Sequence, residues 1–146
     1  MSRVKLNLPE KFCFSTEIPI RIDDLNYGAH LGHDSILPFA HEARVRFLGH
    51  LGYDETDIEG LSYIMADAAI IYKAQAFYGQ TLVIEIAVQD FTRNGCDFVY
   101  RITDKQTGNE VATLKTGMVF YDYRKDKISR VPERFKTKAT AKGGID

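Results

Sequence analysis

Asp34-Ser-Ile-Leu-Pro-Phe-Ala-His-Glu-Ala-Arg-Val-Arg-Phe-Leu-Gly-His-Leu51 is the stretch on which the fold turns. Ile36, Ala40, Ala43 and Phe47 recur at three- and four-residue steps, with Leu37, Leu48 and Leu51 beside them, the spacing of one apolar helix face. Asp34 or Ser35 suits the N-cap, Pro38 is tolerated only near a helix start, and Gly52 is placed to end it. Glu42, Arg44 and Arg46 fall mostly off the stripe. A helix of this length spans roughly 25 Å, enough to cross a whole sheet.

Everything around this helix reads as strand or turn. Val4–Leu8 and Phe12–Ile20 are extended in character, and Arg21–His33 is a loop rich in Asp, Asn and Gly. After a polar connection over Asp54–Gly60, Leu61–Ala74 and Thr81–Phe91 read as strands separated by the turn Tyr78-Gly79-Gln80. Asn94-Gly95 predicts a type I′ hairpin, which needs φ > 0 at both central positions. Cys96–Asp104 returns, Thr107-Gly108-Asn109 turns again, and Glu110–Tyr123 is the last strand, with a short helix expected over Pro132–Lys138. One helix followed by a run of strands predicts an α+β domain with the helix packed on an antiparallel sheet.

The composition fits a globular protein: 45% of residues are hydrophobic and 27% charged. With 146 residues the chain reads as one domain over 1–146, with flexible ends expected over about 1–10 and 139–146. A formal net charge of −1 argues against a nucleic-acid partner. No apolar run reaches membrane-spanning length, and Met1–Glu10 has no apolar signal core, so no membrane association and a cytoplasmic location are expected. Cys13 and Cys96 form no C-x-x-C pair and read as reduced core thiols. Arg124–Lys142 carries eight basic and two acidic residues, a solvated segment or one that helps bind an anion.

Three stretches resemble the 4-hydroxybenzoyl-CoA thioesterase family of hotdog-fold proteins. Arg21-Ile-Asp-Asp-Leu-Asn-Tyr-Gly-Ala-His-Leu-Gly-His33, continuing to His41-Glu-Ala-Arg44, resembles that family's Asp-x-Asp loop and helix. Tyr72-Lys-Ala-Gln-Ala-Phe-Tyr-Gly79 resembles its Tyr-x-x-Pro-Ala-x-x-Gly segment, with Gln75 where proline is usual. Glu110-Val-Ala-Thr113 with Val119-Phe-Tyr-Asp122 resembles its final strand. The resemblance implies a hotdog fold, an antiparallel sheet wrapped around one long central helix. It also implies hydrolysis of acyl-CoA or acyl-ACP thioesters without metal or redox cofactor, coenzyme A entering only as part of the substrate. Homodimers or dimers of dimers (homotetramers), with the site at the dimer interface, belong to the same expectation.

Backbone N–H groups at a helix N-terminus carry partial positive charge, so a carbonyl beside Asn26–His33 would meet an oxyanion site. By the resemblance Asn26 stands where many relatives carry a catalytic Asp. Asparagine is neither nucleophile nor base at neutral pH, but it holds a water or donates to the thioester oxygen. His33 is the natural general base, and Asp34 could orient it or act as base itself. His30 matches a frequent family His and is expected to bind substrate. Asn26, His33 and Asp34 are thus the catalytic candidates, each with a structural alternative as turn, packing or capping residue. His41 and His50 read as helix-surface residues. Asp67 is expected to face solvent, and Tyr63, Met65, Ala69 and Ile71 to pack the sheet. Lys73, Arg93 and Arg124–Lys142 are candidates for the coenzyme A phosphates. Two other functions fit the same fold: a non-catalytic acyl-CoA-binding module, left open by Asn26, and a hotdog hydratase or dehydratase.

Overall fold

A computed structural model describes residues 3–141. The elements are β1 (Phe14–Pro19), α1 (Ile36–His50), β2 (Ser62–Tyr72), β3 (Thr81–Gln89), β4 (Gly95–Asp104), β5 (Glu110–Asp122), β6 (Lys127–Ile128) and α2 (Glu133–Ala139). All strand pairs are antiparallel, in the order β1-β3-β4-β5-β2, with β6 paired to the end of β5. The strand after the helix therefore does not pair with its successor β3; it crosses to the far edge beside β5. Val4–Leu8 forms no strand. The ladder of β1 is extended at both ends: the Cys13 N–H donates to the Ile86 carbonyl at 2.9 Å and the Ile20 N–H to the Gln80 carbonyl at 3.0 Å. Of the ends expected to be flexible, 1–2 and 142–146 lie outside the described residues. Nearer the core, Asn7 accepts from the Gln89 amide at 2.5 Å and Ala139 is buried.

The apolar face of α1 is as its spacing predicts: Ile36, Ala40, Ala43, Phe47 and Leu48 are all buried. The two alanines let the helix approach β1 and β3, against which it packs. Phe47 and Phe98 meet edge to face at 6.1 Å. Gly52 ends the helix as expected. At φ +89° it lets its N–H reach the Gly49 carbonyl and the Tyr53 N–H reach that of Leu48, so two end carbonyls are satisfied. The N-terminus departs from expectation. A 3₁₀ turn over His33–Ser35 leads into α1, and neither Asp34 nor Ser35 caps it with a side chain. The Ser35 hydroxyl donates instead to the Asp24 carbonyl at 3.1 Å.

Two other expectations change. Asn94 and Gly95 do not have positive φ, so the β3–β4 connection is not a type I′ turn; the left-handed residue is Asp90. Gly95 is required for a different reason: a Cβ there would lie 2.3 Å from the Met118 carbonyl oxygen across the ladder. In β2, an irregularity between Met65 and Asp67 shifts the register. Tyr63 and Met65 stand opposite Phe120 and Met118, but beyond the shift it is Ala68, Ile70 and Tyr72 that stand opposite Thr116, Leu114 and Ala112, alternate residues on that same face of β5. Ala69 and Ile71 therefore leave the set predicted by strict alternation. Asp67 is on the outer face, its carboxylate 2.7 Å from Lys115. Cys96 is a core residue whose thiol burial pushes up to about 12, whereas Cys13 is only partly buried; both are free.

Gly95→Ala should lower stability by roughly 1–3 kcal/mol, because the ladder must open to admit a methyl group. Gly49→Ala meets open space and relieves a helical glycine, so it should be neutral or stabilising. Paired denaturant melts of the two variants would check this contrast.

Candidate active site

The loop before α1 is organised by Asp24. Its carboxylate accepts the Arg21 N–H at 2.8 Å and the Arg21 guanidinium at 3.2 Å, closing a short 3₁₀ turn. Its carbonyl accepts the Gly32 N–H and the Ser35 hydroxyl, both at 3.1 Å, tying the loop's end to its beginning. Between these anchors Leu25 bridges Leu31, and the Leu31 N–H donates to Ala76 at 2.7 Å, fastening the loop to the segment after β2.

This brings Asn26, His30 and His33 to one cleft of about 340 Å³, shared with Gly32, Ile36, Tyr72 and Lys73. The Asn26 side-chain oxygen accepts the Gly28 N–H at 2.8 Å, an Asx turn. Its acceptor is thus occupied and its Nδ2 is left as a donor, 3.5 Å from Nδ1 of His30. The His30 ring lies edge to face with Phe77. The His33 carbonyl accepts the Tyr72 hydroxyl at 3.1 Å, and the two rings meet at 82°. Asp34 differs from the other three: its Oδ1 lies where a Cβ on Gly32 would come within 2.5 Å, folded against that buried glycine. Among the described residues no hydrogen bond joins Asp34 to His33.

Of the basic candidates, Lys73 borders the cleft and pairs with Glu110 at 2.8 Å. Arg93, Arg130 and Lys136 meet in a separate hollow of about 390 Å³. Lys142 lies outside the described residues.

The sequence reading placed Arg44 mostly off the apolar stripe, yet its side chain is only 5% exposed. Its spacing carried the signal: it follows Ala40 by four residues and precedes Phe47 by three. Nε donates to the Tyr63 hydroxyl at 2.8 Å and Nη1 to the Tyr100 hydroxyl at 2.9 Å, which in turn bonds Thr116 at 2.7 Å. Tyr63 donates to Glu55 at 2.9 Å, and Nε2 of His41 bonds both Glu55 oxygens at 2.9 and 3.0 Å. His41 is exposed, as read, but anchored. Burial pushes the Glu55 carboxyl up, yet the hydrogen bonds from His41 and Tyr63 and the charges of His41 and Arg44 outweigh it and hold the group below its ordinary value. The surrounding hollow, about 320 Å³, also includes Ser62, Met65, Met118 and Tyr123.

Residues 20–139 match the family model of the thioesterase-like superfamily. The Synechocystis protein sll0410, named as a candidate esterase, is 29% identical over 118 residues, which are 78% of this chain and 71% of the relative. The crystal structure of Slr0204, a 1,4-dihydroxy-2-naphthoyl-CoA thioesterase from Synechocystis, superposes with a TM-score of 0.78 at 18% identity, over 85% of this chain and 93% of that one. An Asp-to-Asn variant of 4-hydroxybenzoyl-CoA thioesterase, complexed with 4-hydroxybenzoyl-CoA, gives 0.77 at 15% identity over 87% and 98%. The architecture is the hotdog fold of these structures.

Removing the buried guanidinium leaves hydroxyls unanswered, so Arg44→Ala should cost on the order of 3 kcal/mol in urea melts. Glu55→Gln should be destabilising near neutral pH. Because the folded carboxyl titrates below its unfolded value, the ionised form's contribution is present above the unfolded value and lost as pH falls through the folded one. The difference between wild type and Glu55→Gln should therefore shrink in acid.

Proposed function

The chain belongs to the thioesterase-like superfamily, and we propose that it hydrolyses acyl-CoA or acyl-ACP thioesters in the cleft at the N-terminus of α1. What carries this reading is the convergence of Asn26, His30 and His33 at the positive end of a helix that no side chain caps. The thioester oxygen lies against the first backbone N–H groups of the 3₁₀ turn and the Nδ2 of Asn26, both donors. His33 takes a proton from water as the water oxygen bonds to the carbonyl carbon. The C–S bond then breaks, and the proton passes to the departing thiolate. We assign the base to His33 rather than Asp34, since His33 lines the cleft and the Asp34 carboxylate is folded against Gly32. His30 holds the substrate beside Asn26. Water is the only co-reactant, and no metal or redox cofactor is required.

A homodimer is part of the proposal. β2 is an edge strand of eleven residues with Ile64, Met65 and Tyr72 exposed, and the cleft ends at Tyr72. A second copy paired antiparallel along β2 would cover that edge and wall the cleft. A cytoplasmic location is proposed with it: two free thiols suit a reducing compartment, and no helix among the described residues is long and apolar enough to cross a membrane.

Thiol release from a panel of short, long and aromatic acyl-CoAs should be measurable for the wild type. It should fall roughly 10²–10³-fold in Asn26→Ala and His33→Ala. Unchanged rates in both variants would end the assignment, and acyl-CoA binding with no thiol release would favour the binding module. The Ala68 N–H faces the open edge, while that of Ala69 faces Lys115 of β5. Ala68→Pro should therefore shift the sedimentation of a wild-type dimer towards monomer; a wild type that sediments as monomer contradicts the dimer.

A further inference from the structure

The network around Arg44 sits at one end of a path that begins in the cleft. Tyr72, Ile70, Ala68, Met65 and Tyr63 stand opposite Ala112, Leu114, Thr116, Met118 and Phe120, alternate residues of β5, four of them in the core cluster, and so share the core face of the sheet. α1 packs over β1 and β3, and along β2 this face is left open: Met65, Ala68 and Tyr72 are exposed. The result is an apolar floor running from the cleft at His33 and Tyr72 to the hollow at His41, Glu55 and Tyr63. Its far end is polar in a specific way. An ionised Glu55 only accepts, so Nε2 of His41 donates to it and holds the carboxylate in place. Glu55 keeps unused lone pairs. The Tyr63 hydroxyl is spent on Glu55, and the Thr56 hydroxyl on Asp54 at 2.6 Å. Arg44, 3.8 Å behind Glu55, offsets the carboxylate charge, so the pocket offers acceptors without a strong net charge.

Resting on the thioesterase reading above, we infer that Glu55, held by His41, selects the acyl group: the substrate carries a hydroxyl at the end of its acyl chain, which donates its proton to the Glu55 carboxylate. Length agrees. His33 and His41 are eight residues apart, about 12–13 Å along a helix with a 3₁₀ start. At about 1.25 Å of advance per bond along a zigzag chain, that suits a chain of roughly ten carbons. Glu55 is then the specificity residue, and His41 and Arg44 are positioning residues that hold it, His41 directly and Arg44 through Tyr63.

The experiment compares kcat/KM for 10-hydroxydecanoyl-CoA and decanoyl-CoA in the wild type, His41→Leu and Glu55→Leu. Sites built to hydrogen-bond a substrate hydroxyl discriminate against its absence; in this open hollow the wild-type preference should be roughly tenfold. In Glu55→Leu the ratio should fall to about one, and in His41→Leu it should fall partway as Glu55 loses the imidazole that holds it. Equal rates on both substrates in the wild type overturn the inference while leaving the hydrolase reading intact, as does a preference that survives Glu55→Leu. Hydrolysis of neither substrate, nor of any acyl-CoA in the wider panel, removes the thioesterase reading, and this inference with it. The ratio is measured within each variant, so partial loss of folded protein does not disturb it.

Discussion

A guanidinium buried in a protein must have its N–H groups answered, and Arg44 meets that demand by reaching out of its own helix. Tyr63 belongs to β2, Tyr100 to β4 and Glu55 to the connection between α1 and β2. These bonds join helix, sheet and loop across a region where α1 does not cover the edge strand. Apolar packing is tolerant of small shifts. A fixed fork of donors is not, and so the position of β2 relative to α1 is set by hydrogen-bond geometry as much as by the core. Both hollows along β2 depend on that placement.

The cleft at the other end follows the same logic with backbone groups. Asp24 uses its carboxylate and its carbonyl to bring residues 21, 32 and 35 together. Once that loop is closed, Asn26 forms its Asx turn, and the turn decides which end of the amide is available. The chemical role given to Asn26, a donor rather than a base, thus comes from a local hydrogen bond and from the residue type together.

Several features were legible from short-range physics. The apolar spacing of α1, its end at Gly52, and the turns at Gly79 and Gly108 each depend on residues a few positions apart. The loop from Arg21 to His33 was also legible as the place where Asn26, His30 and His33 would gather. Asn94-Gly95 was misread because the dipeptide's local preference is only one reason to keep a glycine. The other, the approach of Met118 from twenty-odd residues away, has no local signature. The alternation drawn through β2 failed at its register shift, which depends on how β5 pairs with it.

The sequence by itself determined one long amphipathic helix, a run of strands with their turns, and a polar loop at the helix start, because each is set by neighbours within one or two turns of chain. Only the tertiary structure decided that β2 crosses to the far edge beside β5, that Arg44 is interior, and that His41 and Glu55 meet across fourteen residues. The physical reason is common to all three. Strand order and the burial of a charge are settled by which distant groups can satisfy backbone and guanidinium donors at once, and no window of sequence contains those partners.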